Sequence, residues 1–61
     1  MTFAQATQFL ALRDYVVTQG KATDRYFVRN PQGKACFHSG QSAASVIALA
    51  QFVKESESDA R

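Results

Sequence analysis

One cysteine, Cys36, and one histidine, His38, are all the soft-ligand chemistry these 61 residues contain. A lone cysteine cannot close an internal disulfide, and a chain without a disulfide framework fits a reducing compartment. Structural zinc wants four ligands, so one chain cannot build such a site and no metal or other cofactor is expected. Only a symmetric dimer could gather two Cys36 and two His38. Cys36 and His38 lie two apart in a strand-like stretch, about 7 Å between Cβ atoms, too far for the imidazole to activate the thiol. Glycine is also scarce, with three in the chain. Ser39-Gly40-Gln41-Ser42 leads into a helix, but it lacks the lysine and spaced glycines of a phosphate loop and reads as a helix cap. The carboxylates Asp14, Asp24, Glu55, Glu57 and Asp59 follow no acid–base pattern. No catalytic residue is assigned, and a non-enzymatic protein is expected.

Long apolar runs are missing too. The longest is Val46-Ile47-Ala48-Leu49-Ala50, far short of the roughly 18 residues of a spanning helix, so no membrane association is expected. Met1-Thr2-Phe3-Ala4 carries no basic residue, which gives the expectation of no secretory leader and a cytoplasmic location. A domain of this size buries only about 60% of the surface its unfolded chain exposes. Without a disulfide or metal, stability must come from packing and self-association. Hydrophobic residues make up 46% of the chain, enough for a globular domain.

Charge is unevenly placed. Residues 1–20 sum to zero, residues 21–38 carry plus three (Lys21, Arg25, Arg29 and Lys34 against Asp24), and residues 39–61 carry minus one. The middle is therefore a basic island and the C-terminal end is acidic.

The pattern predicts helix–β-hairpin–helix, a small α+β domain over residues 1–56 with a frayed acidic tail over 57–61. The first helix is expected from Phe3 to Gln19. Thr2 and Gln5 have capping-box spacing, and Gly20 suits a left-handed C-terminal position. Phe3, Ala6, Phe9, Leu10, Leu12, Val16 and Val17 share one half of the helical wheel, with Tyr15 on the other half. Arg13 falls inside the apolar arc. Either its stem covers the core while its head reaches the rim, or it pairs with a carboxylate or a partner. Lys21-Ala22-Thr23-Asp24 is a polar connector. The last helix is expected from about Gln41 to Ser56, capped by Ser39 or Ser42, with Ala43, Val46, Ile47, Leu49, Ala50 and Val53 facing the core. Ala44 and Ala48 are small enough to let another element approach the opposite side.

The hairpin is predicted from residues 25–29 and 34–38. Both flanks are aromatic and β-branched, and Asn30-Pro31-Gln32-Gly33 suits a type I turn with Gly33 as the bulge residue. That turn sets Asn30 opposite Lys34, Val28 opposite Cys36, Phe27 opposite Phe37 and Tyr26 opposite His38. Phe27 and Phe37 are assigned to the core, which leaves Tyr26, Val28, Cys36 and His38 as a semi-apolar face wanting cover, from either the second helix or another chain.

Two functions follow. The first is a protein-interaction module, a small regulator or inhibitor of the kind phages, plasmids and operons encode, acting as a homodimer on a larger protein. Its partner surface would be Arg25, Tyr26, Val28, Arg29, Lys34, Cys36 and His38. The alternative is a nucleic-acid-binding regulator that uses Lys21, Arg25, Arg29 and Lys34, since arginine forks suit phosphates and exposed aromatics stack on bases.

Overall fold

The computed structural model describes residues 1–21 and 24–59. Two helices and a two-stranded antiparallel sheet follow in the order α1 (Phe3–Ala11), β1 (Val16–Gln19), β2 (Tyr26–Arg29), α2 (Ala43–Asp59). This is the helix–hairpin–helix α+β fold expected from the sequence. The strands that build the hairpin are not the expected pair.

The first helix starts as predicted. The Thr2 hydroxyl accepts from the Gln5 amide at 3.1 Å, and the Gln5 side chain accepts from the Thr2 amide at 2.9 Å. It stops eight residues before the expected end at Gln19. The Asp14 amide donates to Ala11 O and the Tyr15 amide to Leu10 O, and Asp14 takes a left-handed φ of 65°. These paired bonds are a Schellman closure, with Asp in the position where Gly20 was expected. Asp tolerates this conformation better than most residues. Beyond it, Tyr15-Val16-Val17-Thr18 is rich in residues that prefer a strand. Leu12 and Val16, assigned to the helical core face, are therefore 76% and 52% exposed. Tyr15, assigned to the outer half of the wheel, packs against the core.

The new strand pairs with β2 in the register Val16↔Arg29, Val17↔Val28, Thr18↔Phe27 and Gln19↔Tyr26. The Gly20 amide donates to Arg25 O at 2.8 Å and closes the connection. Of the expected polar connector, Ala22 and Thr23 lie outside the described residues.

The segment predicted as the second hairpin strand does lie along the other edge of β2, but only in part. The Asn30–Gly33 turn forms: the Gly33 amide donates to Asn30 O at 2.9 Å and that of Asn30 to Lys34 O at 2.8 Å. The Asn30 side chain accepts from the amides of Gln32 and Lys34, and Gly33 has a φ of 85° that favours glycine. Ala35 bridges Arg29, and the Cys36 amide donates to Val28 O, as the expected register requires. The chain then leaves the sheet. Gln41, not His38, faces Tyr26, through two 2.8 Å backbone bonds. Between the two bridges β2 advances three residues and its neighbour six, so three residues bulge out.

Ser42 caps α2, its backbone and hydroxyl oxygens receiving the Ser45 amide. The helix, expected to end at Ser56, continues through Glu57 to Asp59. Ala60 and Arg61, the end of the expected tail, lie outside the described residues. Both helices cover one face of the sheet. Ala6 and Leu10 from α1, Val28 from β2, and Val46 and Ala50 from α2 are fully buried. Removing Leu10, Val28 and Val46 from water contributes about 1.5–3 kcal/mol each. Ala6 and Ala50 are the small core residues, whereas Ala44 and Ala48 are exposed. Arg13 resolves its two readings together. Its guanidinium lies 3.6 Å from the Phe9 ring centroid and holds both Glu57 carboxylate oxygens, at 2.6 and 2.9 Å.

Candidate functional site

Strand alternation sorts β2 into two sets. Tyr26 and Val28 turn toward the helices: Val28 is 1% exposed, and the Tyr26 ring lies 4.6 Å from that of Phe3. Arg25, Phe27 and Arg29 turn the other way. This inverts the expected sidedness. Phe27, assigned to the core, is 43% exposed, while Tyr26, Val28 and Cys36, assigned to a partner surface, pack in or against the core. The expected register holds next to the turn, at Arg29–Ala35 and Val28–Cys36, and fails at Phe27–Phe37 and Tyr26–His38. Phe27 faces outward because two arginines of its parity cannot be buried without partners. Phe37 reaches the core as expected, but only because the chain has left the ladder there.

The outer face is built around Phe27. Thr18 stands opposite it and Val16 opposite Arg29. Two glycines make room for its side chains. A Cβ on Gly20 would come within 2.8 Å of Phe27 Cε2, so the ring edge rests against bare backbone. A Cβ on Gly40 would meet Arg25 Cβ at 3.1 Å, so the arginine stem lies along that glycine. The ring of Phe27, with Lys21, Arg25, Ser39 and Gly40, lines a hollow of about 550 Å³. At the other end of the strand, Arg29 Nη1 donates to Gly33 O at 2.9 Å, which draws its head toward the turn that carries Lys34.

Lys21, Arg25, Arg29 and Lys34 are all exposed. The ion pair formed among the described residues is Arg13–Glu57, on the helical side. The four cations thus meet no carboxylate among the described residues. The Arg29 head donates to the Gly33 carbonyl, so its charge meets no carboxylate there among the described residues. Of the residues expected at a site, the structure brings Lys21 and Arg25 to one hollow and sets Arg29 and Lys34 beyond it. His38 is exposed on the bulge. Cys36 is half-buried, and burial pushes its thiol pKa up, the opposite of what a nucleophile needs. No group of three or more metal-ligating side chains occurs among the described residues, and none of their helices is long and apolar enough to cross a membrane.

The sequence shows Tyr26 and Phe27 interleaved with the cations, but assigning Phe27 to the core keeps it out of the expected site. Nothing in the sequence marks Thr18, Ser39 or the two seating glycines as part of that site. The signal for Phe27 was present in the Arg25-x-Phe27-x-Arg29 spacing. That for Gly20 and Gly40 was not, since both depend on contacts between segments distant in the chain. Compared with known proteins, the chain matches no family model, no curated sequence and no solved structure.

Proposed function

We propose that this chain is a non-enzymatic nucleic-acid-binding domain that works as a regulator through the outer face of its sheet. The observation that carries this reading is the stripe Arg25, Phe27, Arg29: two guanidinium groups flank an exposed aromatic ring on one face, with no carboxylate to neutralise them among the described residues. Guanidinium groups match phosphate oxygens in charge and fork geometry, and an exposed ring offers a base a stacking surface. Lys21 and Lys34 extend the positive charge at either end. Binding should weaken steeply with salt, because each phosphate contact releases counterions. The test is a salt titration of labelled oligonucleotides against the wild type and a variant with Arg25, Arg29 and Lys34 changed to glutamine. The variant should lose most binding at low salt while its circular dichroism is unchanged. Equal binding by the two proteins would dismiss this face as the site.

A second reading, self-association into a homodimer that engages a protein partner, draws on a different observation. β1 is an edge strand of the sheet, and Leu12 and Val16 are exposed beside its start. An open edge next to apolar side chains favours pairing with another chain. Sedimentation of the wild type against Val16→Lys tests it. A wild-type dimer that becomes a monomer in the variant supports the reading, and a wild-type monomer at high concentration removes it.

A further inference from the structure

The hollow at the Gly20–Gly40 end of the outer face is open to solvent and brings an aromatic side chain together with two cations and a hydroxyl. Its wall is the Phe27 ring, held on one side by Gly20. Its rim carries Lys21 and Arg25, and Ser39 supplies a hydroxyl. A volume of about 550 Å³ lies within the roughly 300–1,000 Å³ range of small-ligand pockets. We infer that this hollow takes one unpaired nucleobase of a single-stranded nucleic acid, stacked on Phe27, with the adjoining phosphates on Arg25 and Lys21. The inference rests on the nucleic-acid reading above and names the strand class.

One consideration selects a single strand over a duplex, and two more support a polymer stacked on this ring. A base inside a duplex has both π-faces covered by its neighbours, so it cannot meet a phenyl ring without being extruded, which costs a few kcal/mol. A base in a single strand meets the ring without that cost. Next, charge continues along the face. Four strand residues at about 3.3 Å each set Arg29 roughly 13 Å from Arg25, beyond the reach of one nucleotide and suited to a further phosphate of a polymer. Finally, the ring is preorganised. One edge of Phe27 already rests on the Gly20 backbone, so stacking has less side-chain freedom left to remove.

The experiment is fluorescence anisotropy of the full chain with a labelled oligothymidylate, a duplex of the same length, and heparin, a polyanion without bases. The wild type should bind the single strand more tightly than the duplex. Phe27→Leu keeps an apolar side chain on Gly20 but removes the π-face. It should weaken single-strand binding roughly five- to 150-fold, with heparin binding and the thermal midpoint little changed. Phe27→Trp should retain or strengthen single-strand binding. If Phe27→Leu binds the single strand as the wild type does, or the duplex binds at least as tightly as the single strand, the base-stacking inference is overturned while the basic-face reading stands. If neither nucleic acid binds at low salt, both fall together.

Discussion

The two faces of β2 answer opposite demands within four residues. On the inner face Val28 is sealed from water by both helices and Tyr26 lies against Phe3. On the outer face Phe27 is nearly half exposed between two arginines that lack carboxylate partners among the described residues. Neighbouring residues of one strand therefore carry different functions, and substitution should separate them. The lesson is that an aromatic residue in a strand is assigned to a face by its neighbours two positions away, not by its own hydrophobicity.

The sharpest way to break this comparison is to place the same charge on each face. Val28→Asp buries a carboxylate with no cation among its core neighbours, at a cost on the order of 3–5 kcal/mol. A chain of this size has roughly 3–9 kcal/mol of total stability, so the variant should lose a large fraction of it and unfold at a far lower urea concentration than the wild type. Arg29→Asp, one residue along, loses a hydrogen bond to Gly33 O and should cost less than about 1 kcal/mol in urea unfolding. It should nonetheless abolish most oligonucleotide binding. If Arg29→Asp destabilises the chain as much as Val28→Asp, the two faces are not separable and the division proposed here fails.

A smaller effect is expected where the outer face meets bare backbone. Gly20→Ala puts a methyl group 2.8 Å from Phe27 Cε2, and the ring must swing away. The backbone there has no left-handed φ to oppose alanine, so stability should change by about 1 kcal/mol or less. Single-strand binding should fall by more than this suggests, because the stacking surface moves. Gly40→Ala crowds the Arg25 stem less severely, at 3.1 Å from its Cβ, and should have the milder effect of the two. Anisotropy titrations of both variants check this order, and equal losses would remove the special role given to the Phe27 seat.

How much of this was legible in the sequence depends on the range of the forces involved. The Thr2–Gln5 box, the Asn30–Gly33 turn, the Ser42 cap and the core stripe of α2 are set by residues a few positions apart, and each forms. β1 was hidden because Val16 and Val17 satisfy the helical period as well as the strand preference. What decides between them is the left-handed turn at Asp14, together with pairing to β2 about ten residues on. The three-residue bulge before Gln41 is likewise a choice of tertiary structure, since it lets Phe37 reach the core. The four cations of the candidate site were visible from charge placement alone. Their aromatic centre was lost when Phe27 was placed in the core.

The smallest expected effect sharpens the comparison from the helical side. Arg13 holds the Glu57 carboxyl below its usual range, the hydrogen bond from the guanidinium being the main cause. A depressed carboxylate pKa stabilises the fold at every pH above the ordinary carboxylate value. That contribution is lost as pH falls through the lower folded-state value. Both partners are solvent-accessible, so the effect should be slight and weaker in high salt. Glu57→Gln should lower the thermal midpoint a little at neutral pH, and the gap from the wild type should close in acid. Because this pair ties the C-terminal ends of the two helices, on the opposite side of the sheet from Phe27, oligonucleotide affinity at neutral pH should not change. A variant that binds less well while remaining folded would mean that the helical layer communicates with the outer face, and the separation seen along β2 would then not extend through the molecule.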